Sequence, residues 1–302
     1  MATASPPPAQ AVASSSATPK ANGATAKKVI KVDITSDGIC PFCMLGLQNL
    51  RKAISCSRTA QLGLDFIIEY HPFLLDPTLG EEPVCKRTRY MQKFGKDRFP
   101  VMERVMHERF KAAGLEVTMS GMLSQTTTYH RLLTYAYATG GQDLQLPLVD
   151  LLNKGYFQEG KDLGDKQFLA REAVSVGVFK SEEEAVEWLS GDDKLEEVQR
   201  GYKKAQDLGI SGAPFFVFGN KYAISGAQPP EAFFEVFQEI AKGEVLHCPC
   251  AGADSEARKD GERATTPKEM PRELVANARE GETVGVKCDS AATIQARQAC
   301  VA

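Results

Sequence analysis

Four residues, Cys40-Pro41-Phe42-Cys43, constrain this chain more than any others. Before them Ile30, Val32 and Ile34 alternate with Lys31 and Asp33, the pattern of a strand, and Ser36-Asp37-Gly38 breaks the run. After them Leu45, Leu47, Leu50, Ala53 and Ile54 recur at spacings that suit a partly buried helix. The cysteines therefore open a helix directly after a strand and a turn. A thiol placed there meets unpaired backbone N–H groups whose partial positive charge favours thiolate, lowering its pKa below the free value of ~8.5. A second strand, centred on Phe66-Ile67-Ile68 and ended by His71-Pro72, completes a strand-helix-strand unit, the setting in which C-x-x-C reads as a redox pair.

Three chemistries compete for the two sulfurs. In a dithiol/disulfide couple, Cys40 on the exposed edge of the helix attacks or is attacked, and Cys43, one turn further in, resolves the mixed disulfide. A structural zinc site needs four ligands, and only His247, Cys248 and Cys250 are available to complete one, with no second C-x-x-C. Inert buried cysteines are the third reading. The strand-turn-helix context favours redox chemistry and no metal.

From residue 83 to 208 the pattern turns helical. Residues 89–113 form a charged stretch interrupted near Phe99-Pro100, Leu148, Leu151, Leu152 and Tyr156 share a face, and Ser181 with Glu184 spells a capping box. Leu195, Val198, Tyr202 and Ala205 mark a further stripe that stops at Gly209. Strand character returns at Phe215–Phe218, turns at Gly219-Asn220 and resumes at Tyr222–Ile224, before a closing helix carrying Phe233, Phe234, Phe237 and Ile240. The expected fold is α/β, thioredoxin-like, split into residues 29–82 and 209–243 by a large inserted helical domain over 83–208.

Ile210-Ser211-Gly212-Ala213-Pro214 directly precedes the returning strand. A proline at a strand's first residue lacks the N–H that would join the ladder, and a cis bond would turn the chain sharply. A loop of this kind can lie beside the sulfurs and offer backbone groups to an extended substrate. Together with Ser36–Cys43, Gly155–Gly160, Gly209–Phe218 and above all Tyr222–Pro230, it makes the chain resemble the DsbA-like branch of the thioredoxin superfamily, most closely its FrnE-type subgroup, over Val29 to Ala241. The resemblance implies that Cys40 is the nucleophile, Cys43 the resolving thiol and Pro214 a cis-proline facing them, with Pro41, Phe42 and Ala213 contacting substrate. Its substrates would be protein disulfides or dithiols and small thiols, with no tightly bound cofactor and glutathione as reductant or co-substrate.

The chain departs from relatives in two places. Thioredoxins carry a buried acid six residues before the first cysteine, where this chain has Ile34, which leaves Asp33, Asp37 or Glu69 for proton handling; Asp37 reads first as a turn residue. Gln125–Arg131 is similar to the branch's Asn-Thr…His-Arg stretch with Gln at the Asn position, so His130 reads as structural. The related kappa-class glutathione transferases and hydroxychromene-carboxylate isomerases carry Ser where Cys40 stands, and a glutathione-dependent transferase or isomerase is the alternative enzyme. A client-binding, chaperone-like module is the alternative outside enzymes.

The remaining features bound compartment and partners. Of 302 residues with a net charge of −3, none forms a basic stripe for nucleic acid or an apolar run of the ~20 residues that a membrane span needs. Eight cysteines in a chain this long fit a reducing compartment, the cytoplasm, better than a disulfide-stapled secreted domain. Residues 1–28, rich in Ala, Ser, Thr and Pro with three lysines and no acid, read as a disordered tail; as a transit peptide they would direct the chain to a plastid or mitochondrion. Residues 244–302 read as a largely disordered extension with one short helix over 271–279, in which Cys248 and Cys250 are a candidate second redox pair.

Overall fold

The computed structural model describes residues 27–241, together with the backbone of Lys268–Glu269. The expected N-terminal tail up to residue 26 and the C-terminal extension, with Cys248, Cys250 and the short helix over 271–279, lie outside the described residues.

In chain order the elements begin with strand β1 (Lys28–Ser36), helix α1 (Pro41–Thr59) and strand β2 (Leu64–Pro72). Next come β3 (Val84–Cys85), α2 (Lys86–Phe94), α3 (Phe99–Ala112), β4 (Met122–Leu123), α4 (Thr127–Gly140) and α5 (Gln142–Gln158). They are followed by α6 (Lys166–Ser175), α7 (Glu182–Ser190), α8 (Leu195–Asp207), β5 (Phe215–Phe218), β6 (Tyr222–Ser225), α9 (Pro230–Ala241) and β7 (Lys268–Glu269). The main sheet runs β2-β1-β5-β6-β7. β1 and β2 are parallel, joined by the α1 crossover, with Ile34 opposite Tyr70; β5 returns antiparallel to β1, with Ile34 opposite Phe216, and forms a hairpin with β6. This is the thioredoxin-like α/β arrangement expected from the sequence, with helices α2 to α8 falling between β2 and β5.

Period-two alternation places Ile30, Val32 and Ile34 on the same side as Phe216 and Phe218 of the neighbouring strand. That face is sealed by α9. Phe233 meets Phe216 edge-on at 5.0 Å between ring centres, and Phe237 meets Phe218 at 5.8 Å and Phe66 at 4.6 Å. α1 packs beside α9 on the same face. Its Gly46 is required by close approach, because a Cβ there would lie 2.9 Å from Phe216 Cζ and 3.0 Å from Pro214 Cγ.

Local differences from the sequence reading have simple causes. The helical stretch over 89–113 is interrupted beside Phe99-Pro100, as expected, but the break itself is Gly95–Arg98, and Pro100 occupies the first turn of α3, where its missing N–H costs nothing. Ser181 Oγ accepts from Glu184 N as the capping box requires, but the Glu184 carboxylate reaches one residue further back, to Lys180 N at 3.0 Å. The inserted segment is not purely helical, since β3 and β4 form a two-residue antiparallel pair. Among the described residues, no helix is long and apolar enough to cross a membrane.

Gly155–Gly160 closes α5 around a buried cation. Lys86 Nζ donates to Tyr156 O at 2.7 Å and lies 3.7 Å above the Tyr156 ring. Burial pushes the Lys86 ammonium down to about 8, against the charge of Asp162, which acts upward.

Two outcomes follow from this packing. Gly46→Leu should destabilise the protein by about 1–3 kcal/mol in urea denaturation, because the added carbons press on Phe216 and Pro214. Since the folded protein releases the Lys86 proton near pH 8 and the unfolded chain keeps it to about 10.5, folding gains stability as pH rises between those values. Stability measured across that window should show a rise, of up to about 3 kcal/mol, that is lost in Lys86→Met.

Candidate active site

The site is built at the junction of β1 and α1. Cys40 takes extended backbone angles (φ −85°, ψ 112°) as the N-cap of α1, Pro41 fills the first helical turn, and no acidic side chain lies in that turn. The Cys40 N–H donates to Asp37 O at 3.1 Å, closing the turn, and Cys43 N donates to Cys40 O at 3.0 Å. The sequence pattern that predicts strand, turn and helix thus places both sulfurs at the start of α1, one turn apart.

The Ala213–Pro214 peptide is cis. Cys40 Sγ donates to Ala213 O at 3.4 Å, so two segments separated by 173 residues meet at the nucleophilic sulfur. Pro214 is buried, and Gly226 N donates to its carbonyl at 2.8 Å, which anchors the loop to the end of β6. Cys40, Cys43 and Ala213 form a small apolar cluster of their own, packed by the half-buried Phe42, Phe73 and Leu75. Of the residues singled out from the sequence, Cys40, Pro41, Phe42, Cys43, Ala213 and Pro214 are therefore brought together. Cys248 and Cys250 lie outside the described residues.

One expectation is overturned. Cys40 is not on an exposed edge: the residue is only 1 % accessible, against 6 % for Cys43, and Phe42, Phe73 and Leu75 pack against the cluster it forms with Cys43 and Ala213. The inserted helices contribute to the enclosure. Tyr90 Oη of α2 donates to Ile39 O at 3.1 Å, and the Arg109 guanidinium of α3 lies 5.7 Å from the centre of the Phe42 ring.

The three candidate acids separate clearly. Asp33 and Glu69 lie side by side on β1 and β2 with Lys31 Nζ between them, at 3.0 and 2.7 Å, and His71 Nε2 lies 2.7 Å from Asp33. Burial acts to raise the Asp33 carboxyl, but the bonds from His71 and Lys31 outweigh it and hold Asp33 below the ordinary carboxylate range. Asp33, Glu69 and His71 have ligand atoms close enough to hold a cation, and Lys31 supplies one. Asp37 is different. It is fully buried, its Oδ1 accepts from Ile39 N at 3.3 Å and its Oδ2 from Leu75 N at 2.8 Å, and His130 Nε2 lies 3.7 Å from Oδ1.

His130, read from the sequence as structural, is buried in the same cluster. Its Nε2 donates to Phe73 O at 3.0 Å, and its ring meets Tyr129 and Tyr202 edge-on. Burial pushes the phenols of Tyr90, Tyr129 and Tyr156 up, and the Asp37 charge acts in the same direction, so the rings around this carboxylate stay neutral at physiological pH. Sequence reasoning missed Phe73 and Leu75 altogether. The available signal is the apolar run Phe73-Leu74-Leu75 after the strand-ending Pro72, where a solvated loop would carry polar residues.

Among solved structures, the chain is similar to a probable DsbA oxidoreductase from Streptomyces coelicolor at 28% identity, covering 72% of this chain and 92% of that one with a TM-score of 0.61. More distant likenesses are the cytosolic disulfide reductase DsbM of Pseudomonas aeruginosa with GSH (18% identity, 62% of this chain and 84% of that one, TM-score 0.39) and a 2-hydroxychromene-2-carboxylate isomerase (15%, 70% and 95%, 0.48). A search among curated proteins gives no match. The C-x-x-C at the head of α1 and the cis-proline loop beside it fall within residues 31–238, which match the DSBA-like thioredoxin domain, and the chain belongs to that family.

Proposed function

We propose that the protein is a thiol-disulfide oxidoreductase that works through Cys40 and Cys43. The observation that carries this reading is the placement of Cys40 Sγ at the N-terminus of α1 and 3.4 Å from Ala213 O, beside the cis bond to Pro214. The partial positive charge of the helix start favours a thiolate at Cys40. That thiolate attacks one sulfur of a substrate disulfide, forming a Cys40–substrate mixed disulfide and expelling the other substrate sulfur as a thiolate. Cys43 then attacks Cys40 Sγ, releases the second substrate thiolate and leaves a Cys40–Cys43 disulfide. Two electrons pass from the dithiol to the substrate, and two equivalents of an external thiol, glutathione among them, restore the dithiol. Run backwards, the same steps oxidise a substrate dithiol.

Pro41 and Phe42 shape the rim beside the nucleophile, and Ala213 offers backbone to the substrate. The motif residues over Tyr222–Pro230 support placing the chain in the FrnE-type subgroup, and a reducing compartment, the cytoplasm, suits the reading. The thiol at Cys40 favours direct disulfide exchange over the glutathione-transferase or isomerase alternative.

Dithiol-dependent reduction of a disulfide substrate should fall by at least about a hundredfold in Cys40→Ser. Cys43→Ser should accumulate a mixed disulfide at Cys40, seen as an added mass by intact-protein mass spectrometry and reversed by dithiothreitol. Undiminished exchange in Cys40→Ser sinks the reading, and glutathione conjugation that persists in Cys43→Ser transfers support to the transferase alternative.

A further inference from the structure

The cluster that holds the nucleophilic cysteine is packed by two side chains of one short segment, Phe73 and Leu75. Phe73 and Leu75 are themselves only partly buried, whereas Cys40, in the cluster they pack against, is almost completely shielded. The backbone of this short segment is tied at both ends and in the middle. Phe73 N donates to Ser36 O at 3.0 Å, His130 Nε2 donates to Phe73 O at 3.0 Å, and Leu75 N donates to Asp37 Oδ2 at 2.8 Å. At the far end the buried Asp76 carboxylate pairs with Arg89 at 2.9 Å and Lys93 at 3.4 Å, both on α2.

Asp37 connects this cover to the nucleophile. Its main-chain carbonyl accepts from Cys40 N, while its side chain accepts from Leu75 N above and Ile39 N beside it. The carboxylate is fully buried and both of its oxygens face donors, so an amide in its place would set an NH₂ group against an N–H on one side. The register of the cover over Cys40 is thus set by the residue that also closes the turn below it.

Exchange requires a substrate disulfide to reach Cys40 Sγ in line with the attacking sulfur. A small disulfide would need only a rotamer change of Phe73 or Leu75 to pass this segment, whereas a broad protein surface would need the backbone of residues 73–76 to leave its ties. Resting on the dithiol reading above, we propose that this segment is a selectivity cover that admits low-molecular-weight disulfides and thiols and excludes disulfides set in folded protein surfaces, with Asp37 as its positioning residue.

The test compares kcat/KM for bis(2-hydroxyethyl) disulfide and for insulin, using the full chain with its dithiol intact. The wild-type protein should prefer the small disulfide. The insulin-to-small-disulfide ratio should rise about tenfold in Phe73→Ala/Leu75→Ala and move the same way in Asp37→Asn, a change in discrimination that general loss of structure does not produce. Should Asp37→Asn not fold, the double variant decides alone. A ratio that stays flat in the double variant, or a wild-type protein that reduces insulin as well as the small disulfide, overturns the cover. If Cys40→Ser abolishes both activities while the ratio is flat, the dithiol reading stands and only the cover falls; if Cys40→Ser abolishes neither, the dithiol reading itself falls.

Discussion

A carboxylate removed from water is tolerated only when donors surround it, and at Asp37 that requirement gathers distant parts of the chain. The turn before α1, the segment after β2 and His130 of α4 each supply a group to it. Removing Asp37 would therefore leave buried N–H groups on two separate segments without their acceptor, in addition to altering the turn. The same interaction locates the site: Cys40 hangs from the Asp37 carbonyl on one side and meets the carbonyl of Ala213 on the other. The turn that carries the sulfur, the segment after β2 and one histidine of the inserted helices in this way meet at one buried carboxylate.

The environment of Cys40 holds two opposing influences. The start of α1 favours a negative sulfur, while Phe42, Phe73, Leu75 and Ala213 remove the water that would otherwise solvate it. A thiolate in such a place depends on fixed dipoles instead of mobile solvent. The neutral phenols of Tyr90, Tyr129 and Tyr156 keep further negative charge away from that balance.

Most of the fold is legible in the sequence because its signals are local. The alternation from Ile30 to Ile34, the Gly219-Asn220 turn and the Phe233/Phe237 stripe each specify an element without reference to anything distant, and the structure forms all three. The cysteines at the head of α1 and the proline at the head of β5 are legible for the same reason. The burial of Cys40 is not, since beside the local Phe42 its cluster is packed by Ala213, Phe73 and Leu75, which lie far from it in the sequence. Asp37 and His130 were open to reading as a turn residue and a structural histidine because their other partners lie 38 and 57 residues away, at Leu75 and Phe73. Pro100 is legible for a local reason, since a proline marks a helix boundary and here sits in the first turn of the helix that follows the break.

The separation of Cys40 from Ala213 also bears on how the protein is made. At ribosomal speeds of ~5–20 residues per second, the 173 residues between them take on the order of 10 to 30 seconds to follow the cysteines out. Throughout that interval the nascent chain carries its dithiol without the loop that will face it. Two sulfurs that end in a shielded cluster therefore begin as accessible ones, and the redox state of the surroundings acts on them before the completed protein governs its own exchange.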